Sequence, residues 1–228
     1  MASAPRVAFF GGSFDPPHLG HLAVARAARA ALALDTVLFA PVGTQPLKPQ
    51  GSTASFDHRV AMTRLAIADE PAFELSYADA PALTPNYTID TLQTLRAFLP
   101  PASELFCIMG ADSFLGLPRW HRGVEIPFAA TLVVAARPGQ PLSDLASLLP
   151  EGIDLAEPPA PVPAPNNIDL RRTLLCNADG ATAPLYLLPG LHVEISASDL
   201  RSDLRDPQRH SALPAAVRDY ITTHNLYE

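Results

Sequence analysis

Two histidines and two glycines near the start of the chain have the chemistry and the spacing to hold an anion. His18 and His21 are three positions apart, so both side chains would face one side of the first turn of a helix. Gly11 and Gly12 come shortly before them, and residues without a Cβ let a ligand approach the main chain. A helix N-terminus favours negative charge, and imidazole donates a hydrogen bond in either protonation state. The stretch 11–22 therefore predicts a site for an anion such as phosphate.

The flanking residues predict that this stretch joins a buried strand to a helix. Residues 6–10 form a short apolar run typical of a parallel strand, and residues 22–34 are rich in Ala, Leu and Arg, without Gly or Pro. Pro16 and Pro17 suit the first helical positions, where a missing N–H costs least. Two alternatives are an ordinary Gly-Gly turn and half of a zinc site. Because no Cys or carboxylate partner is evident nearby, we predict no protein-held metal.

Length and composition bound the class of protein. The 228 residues, 48% of them hydrophobic, are enough for one α/β domain with a sizeable core. A net charge of −7 argues against a nucleic-acid-binding protein, although a small polyanionic substrate needs only local positive charge. Cys107 and Cys176 are too few for a disulfide framework. With no secretory signal and no apolar run of roughly 18 residues, we expect a soluble cytoplasmic protein without a membrane partner.

Further elements follow along the chain as apolar runs alternate with helical patterns. The runs predict strands at 36–41, 73–76, 104–110, 129–136 and either 185–188 or 193–195. The helical patterns predict helices at 56–68, from Asn86 or Thr88 to 98, and at 214–224, with one more that begins at Ser198 as N-cap and carries Arg201 on its opening turn.

The region between residues 138 and 184 differs in composition from the rest of the chain. Many prolines fall within 138–165, and they end in the run 158–165, which can form neither a helix nor a central strand and should be polyproline-like or mobile. The turn sequence 177–180 separates two short apolar runs, 170–176 and 183–188, and predicts a hairpin.

Three residues beyond strand ends are weaker candidates for ligand contact, each with an ordinary structural alternative. Lys48 is the only charge in the loop 41–55, and it either meets a ligand or is a solvated surface group. Asp112 follows a strand that ends in Gly110, and it suits either a ribose hydroxyl or a helix cap. Trp120 stands among Arg and His, which favours a site over a purely apolar core.

The motifs taken together resemble the bacterial nicotinate mononucleotide adenylyltransferases of the nucleotidyltransferase superfamily. The stretch Gly-Gly-Ser-Phe-Asp-Pro-Pro-His-Leu-Gly-His carries the superfamily's His-x-Gly-His signature, and Ile-Ser-Ala-Ser-Asp-Leu-Arg at 195–201 is similar to the second signature. Segments around Asn86, Met109, Pro118 and Ala135, and the ending after Asp219, also look like family segments in family order. The departures are Ser198 for threonine, Leu200 for isoleucine, and the proline-rich insertion.

The resemblance implies a Rossmann-like parallel sheet flanked by helices. It implies a single nucleotidyltransferase domain over 1–228, with 138–184 as an insertion and 196–228 as a C-terminal helical segment. Such an enzyme would transfer the adenylyl group of ATP to nicotinate mononucleotide and release deamido-NAD and pyrophosphate. The family uses Mg²⁺, which the substrate phosphates mainly hold.

The resemblance also implies roles for individual residues. His18, His21 and Arg201 would be catalytic, with His21 closest to the α-phosphate and Arg201 at the β- and γ-phosphates. The other residues on the ATP side would be Gly11, Gly12, Ser13, Phe14, Gly110, Asp112, Ser196 and Ser198. The residues on the acceptor side would be Lys48, Thr88, Trp120 and Arg137, with Trp120 stacked on the pyridine ring.

Several alternatives stay open at this stage. The acceptor could be another phosphate such as phosphopantetheine, and the sequence does not separate nicotinate from nicotinamide mononucleotide. A non-catalytic nucleotide-binding module and an assembly role for the insertion are further alternatives. The sequence does not indicate the oligomeric state.

Overall fold

Strands and helices alternate along most of the chain in the computed structural model, which describes residues 4–45, 51–136, 145–189, 191, 197–202 and 211–227. The strands are β1 (Arg6–Gly12), β2 (Thr36–Pro41), β3 (Phe73–Leu75), β4 (Glu104–Gly110), β5 (Thr131–Ala135), β6 (Ile153–Leu155), β7 (Ala160–Pro161), β8 (Arg171–Asn177) and β9 (Thr182–Leu188). The helices are α1 (Leu19–Leu32), α2 (Phe56–Ala66), α3 (Thr88–Phe98), α4 (Ala111–Gly116), α5 (Ile126–Ala129), α6 (Ala197–Ser202) and α7 (Ala215–Thr223).

The strands of the described residues form one mostly parallel sheet in the order β3-β2-β1-β4-β5-β9-β8-β6. The first six of these strands are parallel to one another, and β8 is antiparallel to β9, β6 and β7. In the register of the sheet, Phe9 of β1 lies opposite Leu38 on one side and Cys107 on the other. Because β2 and β4 flank β1 on opposite sides, the connections diverge at the carboxyl ends of β1 and β4. An open α/β sheet binds its ligands at such a point.

Two apolar cores cover the two faces of the sheet. Successive strand residues point to opposite faces, and Phe9 and Phe10 accordingly belong to different clusters. Phe10 packs with α1 on one face, and Phe9 packs with α3 and the region after β4 on the other. Cys107, on the Phe9 face, is a free thiol, and its burial raises its pKa to about 12.

A third, smaller apolar cluster joins three helices that are distant in sequence. Met62 of α2, Leu200 of α6, and Val217 and Ile221 of α7 are all buried together. The spacing of four between Val217 and Ile221 places both on one helix face. This cluster holds α6 and α7 against α2.

The predicted α/β fold and most element bounds are confirmed, and the main difference lies at the start of α1. The strands at 36–41 and 104–110 have their predicted limits. However, α1 begins at Leu19 with His18 as N-cap, so Pro16 and Pro17 precede the helix rather than open it. The bond between Asp15 and Pro16 is cis. The helix ends at Leu32 because Ala33 adopts the left-handed conformation.

The proline-rich region contributes edge strands, which corrects part of the expectation for it. It forms no helix longer than a single turn and no central strand in its described residues, as its prolines predict. However, β7 lies within the run 158–165 and pairs with β8, so residues 160–161 form an edge strand and are not polyproline-like; β6, before that run, also pairs with β8. An edge strand tolerates Pro161, because its missing N–H can face away from the ladder. The predicted hairpin is confirmed as β8 and β9.

No helix among the described residues is long and apolar enough to cross a membrane.

Candidate functional site

The carboxyl ends of β1 and β4 open into a cavity of about 870 Å³. That size suits a nucleotide-sized ligand, since ligand cavities span about 300–1,000 Å³. The wall includes residues from β1, α1, α3, β4, β5 and the first residue of α6, Ala197. The predicted site residues in the wall are Gly11, Gly12, Ser13, His18, His21, Thr88, Gly110, Asp112 and Trp120. Segments more than 170 residues apart in sequence thus meet at one cavity.

Gly11, near the end of β1, lies in the cavity wall at a position where only glycine fits. A Cβ at Gly11 would lie 2.6 Å from the Cζ atom of Phe9, which is closer than real Cβ contacts. The Phe9 ring is buried in the core beneath the cavity. The glycine therefore lets a ligand come down to the main chain above a fully packed aromatic ring.

The two histidines form a fixed pair at the entrance of α1. The His18 main-chain N–H donates to Nδ1 of His21 at 3.2 Å, and the two ring centroids are 3.8 Å apart. Because Nδ1 accepts this bond, a neutral His21 carries its proton on Nε2. The ring is also packed edge-on against Phe14, at 4.9 Å between centroids. His21 is therefore held as a donor of an Nε2–H bond beside the cavity.

Phe14 packs beneath this pair and is not part of the cavity wall, whereas the sequence predicted that it lines the ATP cleft. It is only 1% exposed and packs against Phe10 and Phe39. Its φ of 46° turns the main chain between Ser13 and Asp15. The aromatic ring fills the core under His21, because a phenyl group gains more from burial than from contact with phosphates.

Asp15 connects the glycine-containing loop to three other segments. Its carboxylate is 3% exposed and accepts the main-chain N–H groups of Thr53 and Ala54 at 2.6 and 3.1 Å. It also accepts the Tyr227 hydroxyl at 2.7 Å. Its main-chain carbonyl accepts Nη1 of Arg201 at 2.6 Å. This arrangement fixes the loop that carries the histidines relative to α2, α6 and the end of α7.

Arg59 of α2 stabilises the same loop through hydrogen bonds. It is 2% exposed, and its guanidinium donates to the carbonyls of Ser13, Val42 and Ala54 at 2.7, 2.8 and 3.3 Å. Burial lowers the pKa of Arg59, and the nearby Asp15 carboxylate opposes that shift. Three carbonyl acceptors and one counter-charge make this buried cation a structural group.

The opposite wall is built around the start of α3. The Asn86 side chain accepts the Thr44 N–H at 2.9 Å and donates to the Ala80 carbonyl at 3.0 Å, which joins two loops. Tyr87 stacks on His121 with ring centroids 4.2 Å apart. Thr88 and Trp120 are neighbours of these residues in sequence and line the same cavity. An aromatic and hydroxyl-bearing wall of this kind suits a flat heteroaromatic ring.

Asp79 is a buried carboxylate in the wall that the sequence did not indicate. It is 5% exposed and accepts a hydrogen bond from the Thr91 hydroxyl. Burial raises its pKa above the ordinary value, and the Thr91 bond partly opposes this.

The remaining predicted residues lie outside the cavity wall or outside the described residues. Arg201 does not line the wall but holds the Asp15 carbonyl, and it stands in the last turn of α6 rather than in the opening turn. Because α6 begins at Ala197, Ser198 is inside the helix and is not its N-cap. The predictions for Lys48, Arg137, Ser196 and the Ser198 side chain fall outside the described residues.

Several wall residues were missed by the sequence reasoning although some stood within quoted motifs. The wall also contains neighbours of Thr88 and Trp120, namely Asn86, Tyr87, Arg119 and His121. Their position within the two quoted segments could have identified them. Asp79, in the wall, and Arg59, outside it, gave no local signal. Tyr227, also outside the wall, stands in the ending that resembles a family segment, but its contact with Asp15 joins residues distant in sequence.

The described residues contain no group of three or more His, Cys, Asp or Glu that could hold a metal ion. The carboxylates in the wall are Asp79 and Asp112, set among N–H donors such as His21 and Arg119. This donor set fits a Mg²⁺ ion that arrives on substrate phosphates, since Mg²⁺ commonly keeps only one or two protein ligands.

Comparison with known proteins gives consistent relatives. A model for the family described as cytidylyltransferase-like matches residues 9–202. The chain is 39% identical over 229 residues to a protein from Roseiflexus sp. (strain RS-1) named probable nicotinate-nucleotide adenylyltransferase, with all of both chains covered. A protein of the same name from Thermus thermophilus is 35% identical over 97% of this chain and 99% of its own length. Among solved structures, nicotinic acid mononucleotide adenylyltransferase from Plasmodium falciparum, complexed with NaAD, superposes with a TM-score of 0.70. That match has 17% identity and covers 98% of this chain and 97% of the other.

Proposed function

The chain belongs to the cytidylyltransferase-like family, and from that premise we propose that it transfers the adenylyl group of ATP to nicotinate mononucleotide. The products are deamido-NAD and pyrophosphate. The observation that carries this function is the match, over the full length, to curated relatives that share the name nicotinate-nucleotide adenylyltransferase. The cavity supports it, because one end has phosphate-binding chemistry and the other has an aromatic wall.

The reaction needs alignment and charge stabilisation more than proton transfer. The acceptor phosphate is largely dianionic at neutral pH, since its second pKa is about 6, so no general base is required. An acceptor oxygen forms a bond to the α-phosphorus of ATP while the bond to the bridging oxygen of the leaving pyrophosphate breaks. Catalysis then depends on donors that meet the developing charge.

The donors at the phosphate end have defined roles in this proposal. His21 donates from Nε2 to the α-phosphate, because its Nδ1 is occupied by the His18 N–H. Arg201 contributes positive charge at the β- and γ-phosphates, and its planar guanidinium suits phosphate oxygens. Mg²⁺ accompanies ATP and supplies additional charge neutralisation. Gly11 admits the phosphates to the main chain.

The acceptor end would hold the pyridine ring. Trp120 stacks on the ring, and Thr88 lies at the start of α3 in the same wall. Gly110, the last residue of β4, and Asp112, in the first turn of α4, would contact the ribose of the nucleotide; both line the cavity. The absence of a nucleic-acid partner and the cytoplasmic location stay predictions from the sequence.

An acceptor screen tests this function. The protein with ATP and Mg²⁺ should release pyrophosphate with nicotinate mononucleotide and yield a product with the mass of deamido-NAD. Phosphopantetheine should give no product. The ratio of kcat/KM for nicotinate and nicotinamide mononucleotide measures the preference for the acid. ATP binding with no product from any acceptor would instead support a non-catalytic nucleotide-binding module.

A further inference from the structure

We propose that Asp79 binds the ribose of the acceptor nucleotide, with its carboxylate oxygen Oδ2 accepting a hydrogen bond from a ribose hydroxyl. The inference deepens the proposed function and rests on it for the identity of the acceptor. Its structural basis is a buried carboxylate in the cavity wall that has a hydrogen-bond donor on only one of its two oxygens, as far as the described residues extend.

The first observation concerns the partners of this carboxylate. Asp79 is 5% exposed, and its Oδ1 accepts the Thr91 hydroxyl. Oδ2 has no hydrogen bond from the part of the chain that the structure describes, and no cation there forms an ion pair with it. A buried carboxylate normally has donors on both oxygens or a counter-charge, because burial removes its water. The missing donor at Oδ2 therefore points to a group that a ligand supplies.

The second observation is the position of Oδ2 in the cavity. A Cβ at Gly11 would lie 3.5 Å from Oδ2, so this oxygen stands directly beside the glycine in the cavity wall. Alternate strand residues share a face, which places Gly11 on the same face of the sheet as Phe9. Cys107 of β4 lines the cavity too, and the nearby Asp79 charge adds to the effect of burial in raising its pKa. Oδ2 therefore faces the space between the ends of β1 and β4.

The helix α3 places Asp79 on the acceptor side of the cavity. Thr88 and Thr91 are three positions apart in α3 and therefore lie on one face of it. Thr91 binds the Asp79 carboxylate, and Thr88 lines the cavity together with Trp120. Asp79 is therefore next to the wall that we assign to the pyridine ring.

The main chain around Asp79 is fixed without any ligand. The Asp79 carbonyl accepts the Gly43 N–H at 2.7 Å, and the Ala80 carbonyl accepts Nδ2 of Asn86 at 3.0 Å. The two loops are packed so closely that a Cβ at Gly43 would be 2.4 Å from the nitrogen of Pro81. A ligand therefore meets a carboxylate that is already in place, which lowers the entropy cost of binding.

The chemistry of the acceptor limits which of its groups can meet Oδ2. The phosphate and the pyridine carboxylate of nicotinate mononucleotide are anions, which a carboxylate repels. The ribose hydroxyls are donors, and an acidic side chain is an ordinary partner for them. The ribose also joins the pyridine ring to the phosphate. Its place is thus between Trp120 and His21, in the same cavity whose wall contains Asp79.

The experiment combines a substitution in the protein with deletions in the ligand. Nicotinate mononucleotide and its 2′-deoxy and 3′-deoxy analogues are titrated calorimetrically in the presence of Mg²⁺ and α,β-methylene-ATP, which cannot transfer its adenylyl group. For the wild type, we expect one of the two deoxy analogues to bind at least about tenfold more weakly, as for the loss of a hydrogen bond to a charged group. Asp79→Asn should bind nicotinate mononucleotide about tenfold more weakly and should distinguish it from that analogue by less than about threefold.

The matched control is Asp90→Asn, which makes the same chemical change in α3. Asp90 is exposed, is paired with Arg122 at 3.3 Å and is not in the cavity wall. Its substitution should leave the affinity for nicotinate mononucleotide and the loss on deoxygenation within about twofold of the wild type. Asp79→Asn should also keep its affinity for ATP with Mg²⁺ within about twofold. Its thermal midpoint, which should not fall below that of the wild type, shows that weaker binding does not come from unfolding.

Three results would overturn the proposal. Equal binding of all three mononucleotides by the wild type would do so without any variant. An Asp79→Asn protein that keeps the full loss on deoxygenation would do so as well, and so would a loss of affinity for ATP alone. A wild type that binds ATP but not nicotinate mononucleotide would contradict the proposed function itself, and is thereby distinguished from a failure of this inference alone.

Discussion

Replacement of His21 is the most informative single perturbation of the phosphate end of the site. The His18 N–H occupies Nδ1 of His21, so in the proposed reaction a neutral His21 would donate to the transferred phosphate from Nε2. Removing one such preorganised donor costs about 2.7–4 kcal/mol of transition-state stabilisation. His21→Ala should therefore lower kcat by about 10²–10³-fold.

The effect on folding should be smaller than the effect on turnover. The bond that His21→Ala removes from His18 is 3.2 Å long, and a neutral hydrogen bond contributes about 0.5–1.5 kcal/mol to stability. The packing against Phe14 is also lost, at about 0.5–1.5 kcal/mol. A thermal midpoint a few degrees below that of the wild type would fit this sum.

Two further substitutions separate the two nitrogens of the ring. The amide of His21→Asn reaches the position of Nδ1 and can accept the His18 N–H. The longer side chain of His21→Gln reaches the position of Nε2 and can donate to the phosphate. The assay is pyrophosphate release at saturating ATP, Mg²⁺ and nicotinate mononucleotide. His21→Gln should retain more activity than His21→Asn, whereas the opposite order, or a loss below threefold for His21→Ala, would refute this role.

Three other substitutions test the hydrogen bonds of Arg59 to the loop, the buried carboxylate of Asp79, and the contact of Trp120 with the acceptor. Arg59→Ala leaves three carbonyls and a buried carboxylate without their cation and should lower the free energy of unfolding by about 3–5 kcal/mol, measured with urea. A decrease below about 1 kcal/mol would contradict the structural role of Arg59. Because the pKa of Asp79 is raised in the folded state, its ionisation destabilises the fold as pH rises above the ordinary value of 3.8. Asp79→Asn should thus gain thermal stability relative to the wild type as the pH rises above this value, and a difference that does not change with pH would argue against it. Trp120→Ala should raise KM for the acceptor by about tenfold, because the stacking is lost, and should leave the affinity for ATP unchanged. Trp120→Phe should give an intermediate KM. A change in the affinity for ATP alone would mean that the pyridine ring binds elsewhere.

The fold could be predicted from the sequence because its strands and helices carry strong local signals. The apolar run at 104–110 and the strand at 36–41 are bounded by turn residues, and both appear with the predicted limits. The start of α1 was misplaced because two prolines suit either the first helical turn or the segment before it. The edge strands β6 and β7 were missed because they pair through β8 and not through a pattern of their own.

The site could be predicted only where chemistry follows a local motif. His18 and His21 lie in the cavity wall where their spacing placed them, and Trp120 is in the opposite wall. Phe14 was assigned to the ATP cleft because it stands in the motif that resembles the family's, although its ring packs into the core. Asp15 and Tyr227 are 212 positions apart, and no local pattern indicates that a carboxylate and a hydroxyl so far apart will meet.

A crystal structure of the protein with deamido-NAD bound tests the central claim most directly. We predict that the dinucleotide occupies the cavity between β1 and β4, with a phosphate oxygen about 3 Å from Nε2 of His21. The pyridine ring should stack on Trp120, and the ribose of the adenosine should lie beside Gly110 and Asp112. A dinucleotide bound in the reverse direction, or at a place away from His21, would contradict the account.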